Sequence, residues 1–281
     1  MSRAQTLSRS IRARPWLALG LLIAACVIAA AVFAPWLTAH DPTAQLPVGR
    51  PVPPSAEHPL GTDSLGRDVL SRLLYGARLS LIVGLGAALL ALALGMTVGV
   101  AAGYFGGWVE AALMRLTDVV MAFPAILLAL AAAAVLPREG LTRSVLTLLL
   151  VIGLINWAGA ARIFRSETLS LRERLYVDAS RALGASHGRI LFRHVLPHLL
   201  STGLVVGSLG TATTILLDAG LAFLGVGVPA PHPTWGGLLQ DAQQWYPVAP
   251  WLAVYPGLAV VLTVAAFNLI AFDLRRNGDG A

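Results

Sequence analysis

Apolar residues run through the chain in long blocks, broken by short polar stretches. A helix that crosses a hydrocarbon core of about 30 Å needs about 20 largely apolar residues at 1.5 Å each. Six stretches meet that requirement, at 16–37, 79–103, 113–136, 144–161, 199–224 and 251–272. The third carries Arg115 and Asp118 near its start and Pro124 inside, and the fourth is short. The pattern predicts an all-α membrane protein of six transmembrane helices with no separate soluble domain. It divides into a tail at 1–15, a first transmembrane helix at 16–37, an outer loop at 38–78, a five-helix core at 79–272 and a tail at 273–281. Within the outer loop, Leu65, Val69 and Leu73 share one helical face behind a possible N-cap at Thr62 or Asp63. That spacing predicts an interfacial helix leading into the second span. Gly95, Gly99 and Gly103 recur every fourth residue, as do Gly203 and Gly207, the spacing at which neighbouring helix backbones pack closely.

Composition agrees with lipid as the main solvent. Only 12% of the residues are charged and 57% are hydrophobic, where a soluble domain carries about 25% charged residues. The net charge of +6 could indicate nucleic-acid binding, but the charges cluster between spans instead. All 20 basic residues are arginine. Arg3, Arg9, Arg12 and Arg14 precede the first span, and seven arginines from Arg162 to Arg193 lie between spans four and five. Arg275 and Arg276 follow the last span, whereas 226–250 has neither arginine nor lysine. By the positive-inside rule both termini and the 162–198 segment are cytoplasmic. The arginines of the 38–78 loop depart from this, but Asp41, Glu57, Asp63 and Asp68 balance them. Trp235, Trp245 and Trp251 suit anchors at the outer interface.

The 162–198 segment is more than a linker. Leu171, Leu175, Ala179 and Ala182 fall on one helical face, Gly184 offers a stop, and a second amphipathic piece from Ile190 runs into Pro197. Two short helices joined at a glycine would make a cytoplasmic knob. The same pattern also fits an amphipathic segment resting on anionic lipid.

The order Asp178-Ala179-Ser180, then Gly184, then Leu196-Pro197 resembles the EAA loop of binding-protein-dependent ABC importer permeases. This chain departs from that pattern at Asp178 for the usual Glu, Ser180 for Ala and His194 for Ile. His58-Pro-Leu-Gly-Thr-Asp63 through Arg67-Asp68 to Arg72 and Arg78 is similar to the dipeptide/oligopeptide/nickel permease family. So are Phe223-Leu-Gly-Val-Gly227, Pro233-Thr-Trp235-Gly236 and the segment from Pro256 to Asn268, so the resemblance covers nearly the whole chain. It points to the second of two unlike permeases and implies a type I ABC importer permease fold. It further implies that Arg172, Asp178, Ala179, Ser180, Arg181, Gly184, Leu196 and Pro197 dock into a cytoplasmic ATPase. The implied partners are a second permease, two ATPase subunits that carry ATP and Mg, and an extracytoplasmic binding protein. The expected setting is the bacterial inner membrane, and the expected cargo is a peptide, with nickel or another small solute as the alternative.

A nucleotide P-loop needs a lysine that reaches the phosphates. The chain has none, so it is expected to bind no cofactor and to hydrolyse no ATP itself. Gly184-Ala-Ser186-His187-Gly188 fits the hydrolase nucleophile elbow, but no strand precedes it. Asp118 and Asp218 lie in or near apolar spans, where a charge costs about 2.5 to 3.5 kcal/mol, so both are pathway candidates. An ion-coupled secondary transporter using them is the rival function, and a non-transporting membrane scaffold is a third. For Asp118 the simpler expectation is a pair with Arg115 one turn away. The six histidines show no metal-ligand spacing, and no metal site is expected. Cys26 sits where a lipoprotein would be cleaved, but the apolar run continues past it, which favours a small buried hydrophobe.

Overall fold

The computed structural model describes residues 14–47, 49–136 and 140–278. The basic tail bearing Arg3, Arg9 and Arg12 and the last three residues lie outside the described residues. The described chain is helical apart from isolated β-bridges that join Val52 to Thr62 and Thr62 to Asp68. Helix α1 spans Pro15–Val32, and α2 is the single turn Ala34–Leu37. The long α3 (Val69–Phe105) leads directly into α4 (Gly107–Met121) and α5 (Ala125–Val135). Then follow α6 (Leu141–Arg172), α7 (Leu175–Ala182), α8 (His187–Ile190) and a π-helical turn at Leu191–Val195. Helix α9 (Leu196–Phe223), α10 (Trp235–Ala242) and α11 (Trp251–Gly278) complete the chain.

Among the described residues five helices are long and apolar enough to cross a membrane, and α4 with α5, bent by 84° at the break between them, makes up to six if the pair is one span. The bend has a local cause. Pro124 supplies no amide donor and disfavours helical backbone at Phe123 before it, so α4 stops and α5 starts afresh in a new direction. Pro35 acts similarly at the end of α1. It cannot donate to the Ala31 carbonyl, and Arg78 does so instead, Nε to Ala31 O at 2.6 Å and Nη2 to Val32 O at 2.9 Å. A cation on the last carbonyls of a helix is also favoured by the helix dipole.

Two boundary expectations are corrected. The interfacial helix is no separate element, because α3 begins at Val69 and continues without a break into the second span. Its cap is Asp68, whose Oδ2 accepts from Ser71 N at 2.7 Å and Ser71 Oγ at 2.8 Å. Thr62 and Asp63 lie in the loop before it. The fourth span is not short either. Helix α6 runs 32 residues, because its polar second half packs on α3 and α4 instead of ending at the lipid.

Helices α3 and α6 form the main packed pair. A Cβ on Gly95 would lie 2.6 Å from Ala160 Cβ, one on Gly103 would lie 2.7 Å from Arg165 O, and one on Gly99 would overlap the Ala161 carbonyl. These glycines therefore let two backbones touch. Helix α9 crosses the same face of α3, where Thr214 Oγ1 donates to Gly84 O at 2.7 Å, and α1 packs on α11. The predicted anchor Trp235 is instead buried in the core, its amide held by Ser80 Oγ and its indole N–H by Leu73 O. A buried indole needs such an acceptor, and the loop before α10 carries it inward to find one. Cys26 is exposed on α1, which corrects the reading of it as buried.

Candidate coupling site

The knob forms at the end of α6. Glu173 ends that helix, Arg174 turns the chain, and α7 follows. Helix α7 closes through a Schellman pattern: Gly184 N–H donates to Arg181 O and Ala185 N–H to Ser180 O, both at 3.0 Å. This closure places Gly184 at φ +79°, a conformation that costs glycine little and other residues more. Ser186 then caps α8, its Oγ accepting from Arg189 N. The amphipathic pieces joined at a glycine are therefore present, and the Gly-x-Ser-x-Gly match lies on a helix–turn–helix with no strand.

One side of the knob is anchored. Val177 is fully buried with Val100, Tyr104, Phe164, Leu171, Ile190, Val195 and Leu199, drawn from α3, α6, α8, the π-helical turn and α9. Tyr104 Oη lies 3.0 Å from His187 Nδ1, and Arg172 Nη1 donates to Tyr104 O at 3.3 Å. Ser180 Oγ donates to Tyr176 O at 2.8 Å and lies 3.3 Å from His194 Nε2, so Ser180 and His194, both departures from the EAA pattern, meet each other. The Tyr176 ring stacks on His198.

The other side has no partner among the described residues. Leu175 and Leu183 are each 88% exposed and Phe192 is 75% exposed, with Ala179 and Ala182 also open. Asp178 and Arg181 pair at 2.9 Å and stand in solvent beside them. Of the predicted coupling residues, Asp178, Ala179, Arg181 and Gly184 are thus on the open surface. Ser180 lies between α7 and the π-helical turn. Arg172 and Leu196 face inward, toward Tyr104 and the buried cluster, and Pro197 opens α9. Leu183 and Phe192 were missed, because a periodicity read within one helix does not cross a turn.

Asp118 does not pair with Arg115. Its Oδ1 accepts from Arg162 Nη2 at 2.6 Å, and Glu110 Oε1 accepts from Arg165 Nε at 2.7 Å. Helix α4 faces α6, so partners across the helix pair replace the one along the helix. Asp218, by contrast, is 3% exposed within α9 with no hydrogen bond or ion pair from the described residues. It lies 22 residues beyond the start of α9, about 33 Å along the axis from the knob. No contact among the described residues joins the two pathway candidates. A cleft of about 180 Å³ between α3, α6 and α9 is lined instead by Asn156, Gly210, Thr213 and Thr214 among small apolar residues.

At the end away from the knob, the family-like loop builds an ion network that the sequence did not single out. Arg67 Nε donates to Asp63 Oδ2 at 2.6 Å, and the Nη2 atoms of Arg67 and Arg72 reach Asp241 Oδ2 at 3.2 and 3.0 Å. Burial pushes the Asp241 carboxyl above the usual carboxylate range, against the pull of Arg72 and Arg67. The network joins the start of α3 to α10 beside a cavity of about 440 Å³.

Comparison with known proteins fits this arrangement. Residues 95–277 match the family described as binding-protein-dependent transport system inner membrane component. The dipeptide transport system permease protein of Alkalihalophilus pseudofirmus is 43% identical over 91% of this chain and 83% of its own length. The oligopeptide transport system permease protein of Bacillus subtilis is 35% identical over 91% of this chain and 82% of its own. The glutathione transport system permease protein of Pectobacterium atrosepticum is 41% identical over 79% of this chain and 72% of its own. Among solved structures, an inward-facing MetNI methionine ABC transporter aligns with a TM-score of 0.55 at 19% identity, covering 74% of this chain and 95% of that one. With the multi-span helical fold and the relatives in agreement, the chain belongs to the family of binding-protein-dependent transport system inner membrane components.

Proposed function

We propose that this chain is one of two unlike permease subunits of an ATP-driven peptide importer, and that the knob transmits movement from a cytoplasmic ATPase to the pore. One observation carries the reading. A short helix is fixed to the bundle through Val177, while Leu175, Leu183 and Phe192 on the far side of the knob have no partner among the described residues. Exposed apolar side chains grouped on a rigid mount are what a protein partner buries, and lipid alone would not require the Schellman closure that holds them. Arg172 and Leu196 then serve as the mount, and Asp178, Ala179, Arg181 and Gly184 as the docking surface. Ser180 and Pro197 set the angle between the two.

The peptide cargo rests on relatives named for dipeptide, oligopeptide and glutathione transport. The arginine pattern puts the knob and both termini on the cytoplasmic side, and an extracytoplasmic binding protein would deliver substrate at the opposite end. ATP and Mg belong to two partner ATPase subunits, since no lysine is present to build a P-loop. This chain would bind no cofactor of its own and would supply half of an alternating-access pore. Asp118 is committed to Arg162 on an open surface, which weighs against its service as a coupling carboxylate in a secondary transporter.

The test is the double substitution Leu175→Asp and Leu183→Asp. Hot-spot positions at interfaces cost about 2 kcal/mol or more, about 30-fold in affinity. The variant should insert normally, lose the ATPase on co-purification and lose ATP-driven uptake in reconstituted vesicles. Uptake at the wild-type rate would remove the coupling assignment.

A further inference from the structure

The loop between α2 and α3 brings together two of the six histidines and a carboxylate. His40 follows α2, His58 lies in the middle of the loop, and Asp68 caps α3. One nitrogen of each imidazole and one Asp68 oxygen lie within 4.8 Å of one another. The two rings stand 4.7 Å apart, centroid to centroid. Each ring spends one nitrogen on an acceptor and keeps the other. His58 Nδ1 lies 2.9 Å from Asp68 Oδ1, and His40 Nε2 lies 3.1 Å from the Glu57 carbonyl oxygen. The Glu57 carbonyl is the kind of outer partner that orients a ligating ring and leaves His40 Nδ1 free, while His58 already sits against the Asp68 carboxylate that would share the ion with it.

We propose that His40, His58 and Asp68 form a binding site for a late first-row divalent cation, with zinc the best match. Two imidazoles and a carboxylate suit Zn²⁺, Ni²⁺ or Cu²⁺, whereas Mg²⁺ and Ca²⁺ favour all-oxygen sites. A tetrahedral zinc site with bonds of about 2.0–2.1 Å has ligand atoms about 3.4 Å apart. Closing from 4.8 Å takes side-chain rotation at His40 and His58, both of which are only half-buried. Asp68 is buried and held by Ser71, so it is the fixed member on which the other two converge. The cation adds two positive charges next to one carboxylate and two neutral rings, and water completes its shell.

Such an ion ties the chain just after the first span to the cap of α3. The same junction is already bridged by Thr38 Oγ1 and Ser71 Oγ, and by Arg78 on the last carbonyls of α1. The site stands at the start of α3 and the knob at its end, 37 residues on and so about 55 Å away. It is therefore independent of the coupling assignment. It is a structural site on the loop and makes no claim about cargo.

The test uses the full chain assembled with its partner subunits in lipid nanodiscs, stripped by a chelator and titrated with Zn²⁺ against a chromophoric competitor. The complex should take up a tight equivalent of zinc whose X-ray absorption shows two imidazole ligands. His40→Ala should lose that equivalent or weaken it about ten-fold or more, and His58→Gln should do the same. His40→Ala keeps the His58–Asp68 contact and the cap, so its effect is not one of folding. His194→Ala, in the knob at the far end of α3, should leave the zinc equivalent unchanged. No saturable equivalent in the wild type, or equal binding by wild type and His40→Ala, overturns the site.

Discussion

At the scale of single residues, Gly184 and Asp218 carry opposite kinds of constraint. Gly184 holds φ +79°, and a Cβ built there meets nothing within 4 Å. The cost of substitution is therefore conformational alone, about 1–2 kcal/mol for an ordinary residue and less for asparagine, which tolerates this region. Gly184→Asn should retain most uptake, whereas Gly184→Val should lose most of it at an unchanged membrane level. Uptake into vesicles with parallel quantitation of the protein checks both, and equal uptake by the two variants would break the argument. Asp218 is a carboxyl buried in α9 without a partner among the described residues. An ionised carboxyl there costs more stability than the neutral amide of Asn. Asp218→Asn should raise the thermal midpoint of the assembled complex by about 2–4 °C for each kcal/mol recovered while lowering uptake. An unchanged midpoint would mean that subunit contacts or water already satisfy the group. The sequence made Asp218 a candidate because a charge interrupts an apolar run. It could not assign Asp118 to Arg162, because that partner comes from another helix.

At the scale of elements, the α3–α6 pair decides whether the bundle forms. Gly99 meets backbone on α6, whereas Gly207 in α9 meets only the flexible end of Leu92 at 3.1 Å. Gly99→Leu should cost about 1–3 kcal/mol or more, because a backbone contact cannot yield, and Gly207→Ala should be tolerated. Thermal unfolding in detergent separates them, and a Gly99→Leu midpoint equal to wild type would sink the packing account. The glycine spacing was visible in the sequence; its partner helix was not. The start of α3 was hidden for a related reason. Hydropathy begins the span near Leu79, because Arg72 and Arg78 look too polar for a spanning helix. Arg72 Nη2 reaches Asp241 and the Arg78 guanidinium reaches the α1 carbonyls, partners distant in sequence that no periodicity reveals. Pro124, in contrast, acts on its immediate neighbours, so the interruption it makes in the third span was legible, though the 84° bend was not.

For the whole molecule, one axis relates the two ends, and sidedness is the claim left to test. Helix α3 carries the loop with Asp63, Arg67 and Asp68 at its start and the knob contacts of Tyr104 at its end. The long apolar helices and the basic segment between α6 and α9 were legible from hydropathy and charge, because both follow from the solvent each stretch meets. Orientation depends on which side the arginines face, and no internal contact reports that. The natural Cys26 is exposed on α1, so it is first replaced by alanine. Single cysteines then go to Gly188 in the knob and Val248 before α11, both on open surface. A membrane-impermeant maleimide added to intact spheroplasts should label the Val248→Cys chain and leave the Gly188→Cys chain unlabelled until the membrane is permeabilised. The arginines between α6 and α9 and their absence from the α9–α11 loop require this result. The reverse labelling would put the knob outside the cell, where no ATPase could reach it, and the proposed coupling would fail with the topology.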